Sequence, residues 1–328
     1  MRKPALRLSR FAAAVCALVP VLASVPSLAE EQVARQVTDE CARTCLIARL
    51  DSYLAALARH APETIAWDSA AKFTENSISL RPGKGLWATA GTIGDFRQVY
   101  ADPRLQSVVF FGTIEENGNQ AILGIRLRYS DDVLVDAEHL VVRNHAAAGK
   151  FARRAGRGLA AAGASIERRT LAAAPDSYFD AIERISTRDA HFSPGCVRVE
   201  NGEQTTGVQN LQNGPFLELE SESWRAILAE GCAASIDSGA NAHITQARDR
   251  RVLAIDEDRG IAVAAVVFAH DGTVSRTERG GRSISFPRQL QQPFDTLIFE
   301  AFELDAEGRI YRVEAIGIQL PHGTASGW

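Results

Sequence analysis

Two stretches far apart in the chain, KFTENSIS (residues 72–79) and VRVENGEQT (residues 197–205), each place Glu beside Asn soon after an amphipathic helix. The surroundings repeat as well. DSYLAALARH, starting at Asp51, is echoed by DSYFDAIERIS, starting at Asp176, and VDAEHLVV is echoed by YRVEAIGI. Laid over one another, the halves match Glu75 with Glu200, Asn76 with Asn201 and Glu138 with Glu314, while His139 falls opposite Ala315. A chain built this way folds as two copies of one plan.

Each copy opens with a helix. In the first, Leu46, Leu50, Leu54 and Leu57 recur at helical spacing with Tyr53 alongside; Thr38 or Asp39 is placed to cap the start and Pro62 ends it. The polar Glu-Asn turn follows, then SVVFFGTIEENG, QAILGIRLRYS and VLVDAEHLVVR, strands separated by turn-forming ENGN and SDD. The second copy adds SWRAILAEGCAASI as a further helix, and RRVLAIDEDRG, IAVAAVVFAHDG, FDTLIFEAFELDAEG and RIYRVEAIGIQL as a meander. Residues 30–148 and 173–328 are the two expected domains. The Ala/Gly/Arg-rich stretch 149–172 is the expected linker, its glycines lacking the preceding strand a dinucleotide loop needs.

The first 29 residues have basic, apolar and small-residue zones ending at Ser27-Leu28-Ala29, the order of a cleaved secretory signal. The apolar run is about fifteen residues and contains Pro20, short of the roughly 20 a spanning helix needs. Cleavage removes Arg2, Lys3, Arg7 and Arg10 from 36 basic residues and none of the 40 acidic ones, leaving 32 against 40, a net charge of −8. The expectation is a periplasmic or secreted protein with no membrane attachment after cleavage and no nucleic-acid partner. Four cysteines remain, Cys41, Cys45, Cys196 and Cys232, which suits an oxidising compartment. Three pairings are open; Cys196 with Cys232 is the expected bridge, and Cys41 and Cys45, one helical turn apart, are expected as buried thiols.

A helix followed by a strongly bent antiparallel sheet resembles the cone-shaped α+β superfamily that includes nuclear transport factor 2, ketosteroid isomerase, scytalone dehydratase, limonene-epoxide hydrolase and the SnoaL-like polyketide cyclases. LDSYLAAL, FTENS, GLWATAG, FFGTIEENG, CVRVENG, DRRVLAIDEDRGIAV and VVFAHDG more closely resemble a secreted fungal and bacterial family known as a domain of unknown function. That resemblance implies a fold of two tandem cones, each a helix-packed curved sheet with an internal pocket. It brings no assigned catalytic residues and no single reaction.

The seven histidines are scattered without HExxH or CxxC spacing, and no phosphate loop, GxSxG elbow or EF-hand loop is present, so neither metal nor cofactor is expected. What remains is carboxylates and histidines against apolar walls, where burial shifts proton affinities toward neutrality. Glu75, His139, His243 and Asp249 are the candidate catalytic groups: Glu75 as a base beside Asn76, His139 as the group unique to the first half, and His243 as the partner of Asp249 in a proton relay. The competing role for Glu75 and Asn76 is a turn that each half requires. Asn76, Trp87, Tyr100, Phe111, Glu200, Asn201, His191 and Arg251 are the candidate ligand contacts. The expected function is a cofactor-independent lyase or isomerase (elimination, dehydration or double-bond migration) acting on a small organic molecule, aromatic or polyhydroxylated. The alternatives are an exported binding module, or a second half that only braces the first. The expected assembly is a monomer with an internal pseudo-dimer, or a homodimer.

Overall fold

The structure, a computed structural model, describes residues 41–153, 166–208, 222–279 and 281–328. The expected signal segment 1–29, the expected caps Thr38 and Asp39 and residues 154–165 of the expected linker lie outside them. The described chain is α+β, with two six-stranded sheets and few helices.

Helix α1 (Arg43–Ala58) buries Leu46, Leu50, Tyr53, Leu54 and Leu57 on one face. It starts at Ala42 without a side-chain cap. Strands β1 (Trp67–Glu75), β2 (Ile78–Ser79), β3 (Ala90–Asp102), β4 (Ser107–Glu116), β5 (Asn119–Ser130) and β6 (Val133–Val142) form the first sheet in the order β2-β1-β6-β5-β4-β3. The meander β3 to β6 is antiparallel, and β1 joins β6 in parallel. After the short helix α2 (His145–Ala152) the plan restarts with α3 (Arg168–Arg184). Its sheet contains β7 (Phe192–Glu200), β8 (Glu203–Gln204), β9 (Gln246–Asp256), β10 (Ile261–His270), β13 (Phe294–Leu304) and β14 (Ile310–Pro321) in the order β8-β7-β14-β13-β10-β9.

The copies share strand register. Thr74 faces Glu138 and Glu75 faces His139 across β1–β6; Val199 faces Glu314 and Glu200 faces Ala315 across β7–β14. The Glu-Asn turns are equivalent too. Asn76 and Asn201 have φ of 50° and 48°, a left-handed conformation Asn tolerates better than most residues. The Asn76 amide donates to Val141 O at 3.1 Å and accepts from Val141 N at 2.8 Å; Asn201 does the same with Gly317 at 3.0 Å each. Each Asn therefore completes the sheet's hydrogen bonding where the strand turns away.

Two insertions distinguish the second copy. The stretch expected as one helix is two, α4 (Glu222–Ala229) and α5 (Cys232–Asp237), broken at Glu230-Gly231. Where β4 turns directly into β5 through Asn117 and Gly118, β10 and β13 are separated by residues 271–293. That insertion carries the hairpin β11 (Arg276–Arg279) and β12 (Arg282–Ser285) and a 3-10 turn at Arg288–Gln291.

The sheets pack against each other by the faces opposite α1 and α3, with α2 covering part of the first sheet's. Tyr100, Val109, Phe111, Ile122 and Leu140 of the first meet Leu253, Val263, Ala265, Phe299 and Ile316 of the second in one apolar layer. This explains β4 and β10, buried along almost their whole length because both faces are covered. Polar clasps at the edges are reciprocal. Asp102 of the first half binds Arg168 at 2.7 Å and accepts from Ile255 N at 2.8 Å; Asp256 of the second binds Arg43 at 2.5 Å and accepts from Ala101 N at 3.3 Å.

Both disulfides are formed. Cys196–Cys232 ties β7 to α5, as expected. Cys41–Cys45 corrects the expectation of buried thiols: Cys41 precedes the helix, so its backbone can adopt a Cα–Cα separation of 5.3 Å without strain on the helical turns. No helix among the described residues is long and apolar enough to cross a membrane.

Asp102 is fully buried and its clasp is ionic, so Asp102→Ala is expected to lower unfolding free energy by about 3 kcal/mol. Glu278→Ala, which breaks an exposed pair with Arg276, is expected to cost less than about 0.5 kcal/mol. Urea unfolding of both variants checks this; equal small losses would show that the clasp does not hold the halves.

Candidate functional site

The concave face of the second sheet encloses a cavity of about 590 Å³. Strand alternation puts Arg198 and Glu200 of β7 on its wall, Phe268 and His270 of β10 opposite, and Thr296 and Ile298 of β13 between them. Helix α3 contributes Tyr178, α5 contributes Ser235 and Ile236, and the turn before β9 contributes His243. Pro287, Gln289 and Leu290 of the insertion close it from above. The Cys196–Cys232 disulfide fixes the strand bearing Arg198 and Glu200 to one wall helix.

Arg198 organises the polar end. Its guanidinium donates to Glu200 at 2.6 Å and to Glu300 at 2.9 Å, and it interacts electrostatically with the Tyr178 phenol. Burial opposes its charge, but Tyr178, Glu200 and Glu300 outweigh that and hold its pKa well above the usual arginine value. Burial pushes the Glu300 carboxyl up, partly offset by Arg198. Only one Glu300 oxygen meets Arg198; the other has no hydrogen-bond partner among the described residues.

At the opposite end four rings stand in a row. His270 stacks on Phe294 with centroids 4.0 Å apart; His243 lies 5.1 Å from His270, and Phe286 5.0 Å from His243. Burial holds both histidines neutral, with pKa lowered to about 3 for His243, where His270 adds to the effect, and to about 4 for His270. The Nδ1 atoms of both are buried without partners among the described residues.

The equivalent space in the first half is packed. Tyr53, Trp67, Phe73 and Trp87 meet edge to face or tilted at 5.2–6.4 Å, and Phe73 and Tyr53 contact the His139 ring. The Tyr53 hydroxyl and His139 Nε2 are 2.9 Å apart, and burial lowers the His139 pKa to about 3. Strand register identifies the exchanged positions. Phe73 stands where the second half has Arg198, Ile125 where it has Glu300, and His139 where it has Ala315.

The candidate residues are therefore dispersed. Glu200 and His243 share the cavity. His243 does not meet Asp249, which pairs with Arg248 instead, so the expected relay is absent. The reason is position: Asp249 has φ of 54° at an irregular point of edge strand β9. Glu75 accepts from Leu86 N at 2.6 Å and pairs with Arg143 at 2.8 Å, acting as a brace. Asn76 and Asn201 are turn residues, their amides occupied by strand backbone. Arg251 binds Glu138 across the halves at 2.8 Å. Trp87 is in the first-half core, Tyr100 and Phe111 are in the inter-sheet layer, and His191 is exposed just before β7. Tyr178, Arg198 and Glu300 were not singled out from the sequence. A signal was available in the alternation of Arg198 and Glu200 with Val197 and Val199, and in Glu300, the lone charge within the apolar run LIFEAF.

Residues 164–317 match the profile of DUF8021, a domain of unknown function. No curated protein matches the chain significantly. Among solved structures it is similar to a candidate polyketide cyclase from Silicibacter sp. TM1040 (19% identity, 47% of this chain and 92% of that one, TM-score 0.28). It is also similar to another from Xanthomonas campestris pv. campestris (18%, 45% and 90%, 0.26) and to AclR, a candidate hydroxylase from Streptomyces galilaeus (12%, 46% and 91%, 0.26).

Three buried neutral histidines make the fold acid-sensitive. Their folded pKa values lie below the ordinary 6.5, so the unfolded chain binds protons first as pH falls. Their stabilisation is complete above about pH 6.5 and is lost toward pH 4, with a slope approaching about 4 kcal/mol per pH unit if all three contribute. Unfolding free energy measured from pH 7 to 4.5 should fall in this way, and His139→Gln should flatten the slope. A pH-independent stability would contradict neutral burial.

Proposed function

We propose that the second half binds a small organic molecule in its cavity and moves a proton on it, as a cofactor-independent lyase or isomerase. One observation supports this most: a carboxyl group, Glu200, and two neutral histidines, His243 and His270, line the same cavity.

Glu200 takes a proton from a carbon next to a carbonyl; the C–H electron pair forms a carbon–carbon double bond and the carbonyl π pair moves onto the oxygen. A neutral imidazole N–H of His243 or His270 donates a hydrogen bond to that oxygen; neutral histidine is a suitable donor because it carries no competing charge. Arg198 orients Glu200. Returning the proton to another carbon migrates the double bond; expelling a β-hydroxyl as water completes an elimination. Glu300 shares Arg198, and so keeps the guanidinium paired whatever happens at Glu200. The two disulfides suit the oxidising surroundings of a periplasmic or secreted protein.

The rival reading, binding without chemistry, is favoured by the paired state of Arg198, which leaves the cavity's main charge without a free valence. Deuterium exchange separates them. In heavy water, the protein should speed exchange of the α-protons of 2-tetralone, followed by NMR, and Glu200→Gln should slow it by about 100-fold. Exchange no faster than in buffer, with tetralone bound, would make the protein a binding module.

A further inference from the structure

The two charged side chains that line this cavity, Arg198 and Glu200, pair with each other. Arg198 meets Glu200 and Glu300, and both histidines are neutral. An anion or cation entering would leave water without a free counter-charge waiting for it, which is costly in a mostly apolar enclosure. What the walls do offer is neutral polar side chains, the rings of His243 and His270 with Ser235, Asn241 and Thr296, and apolar surface from Ile227, Leu228, Phe268 and Ile298.

The roof belongs to the second half alone. The first half makes the corresponding connection with Asn117 and Gly118, whereas residues 271–293 fold back over the second cone. The roof rests on a small core of its own, where Ile284 and Phe286 pack with Ile227, Ala240 and Ala242. Phe286 thereby reaches His243, and Leu290 faces the cavity. Roof and polar wall are thus joined through one ring contact.

We propose that the cavity takes an uncharged, apolar molecule bearing one or two hydroxyl or carbonyl oxygens, and that the inserted segment 271–293 selects it. The inference rests on the cavity being the ligand site, and adds the ligand's charge class and the element that discriminates. Histidine nitrogens bind the oxygens, the apolar walls bind the body, and the side chain at Leu290 limits its size.

The test uses three probes of one shape: 2-naphthylmethanol, 2-naphthylmethylammonium and 2-naphthoate, titrated calorimetrically into the mature protein at neutral pH. The alcohol should bind at least about tenfold more tightly than either ion. Leu290→Trp should weaken alcohol binding by at least about tenfold, and Leu290→Ala should raise the relative affinity for the bulkier 1-pyrenemethanol. Both variants should melt cooperatively, which separates a blocked cavity from an unfolded one. An ion bound as tightly as the alcohol overturns the inference and leaves the ligand site standing. Unchanged binding in both Leu290 variants overturns the selecting role of the insertion. No uptake of any probe by the folded wild type overturns the ligand site and the inference together.

Discussion

The rest of the structure depends on the reciprocal grip between the two copies. Each half buries against the other the sheet face that lies opposite its opening helix, and each sends a helix-start arginine to an aspartate at the end of the other's edge strand: Arg168 to Asp102, Arg43 to Asp256. The trailing segments cross as well. After β6, α2 packs its Phe151 backbone on the turn at Gly202, where a Cβ would lie 2.5 Å from Phe151 N. After β14, the tail lays Gly327 on Ser77 and sends the Trp328 indole N–H to Thr74 at 2.9 Å. Trp328 also sits against Lys72, Arg126 and Arg251, residues of both halves. With the shared face closed in this way, the two concave faces are the surfaces left free to differ.

They differ in how the same space is filled. In the first half, Phe73, Trp87 and Tyr53 fill it and gain the burial energy of large aromatic side chains. In the second, Arg198 and Glu300 occupy positions that hold Phe73 and Ile125 in the first. A buried ion pair seldom stabilises more than the apolar residues it replaces. Forgoing that stability beside an open cavity is what a site under functional demand does. The assignment of roles is thus the reverse of a second copy bracing the first: the first half is the filled one.

Much of this was legible from the repeat. Matching Glu138 with Glu314 and His139 with Ala315 anticipates the register found in β1–β6 and β7–β14. The recurrence of Glu-Asn is explained by the identical bonds of Asn76 and Asn201 to the last strand of each sheet. Strand alternation puts His139 on the face opposite Glu138, which meets Arg251 between the halves. The contents of each cone were not legible. Whether His139 meets a cavity or a plug depends on Tyr53, Phe73 and Trp87 converging from three separate segments, which no local periodicity encodes. The roof was missed for a related reason: residues 271–293 gain their role from packing on Ile227 and Ala240, distant in sequence. The Asp249 relay failed because pairing was inferred from nearness along the chain.

The most direct measurement is a crystal structure of the mature protein under xenon pressure, since xenon enters apolar space that side chains leave open. The division of the two cones predicts xenon against Phe268 and Ile298 in the second half, and none among Tyr53, Phe73 and Trp87 in the first. Xenon in the first cone, or a second cone closed to it, would contradict that division.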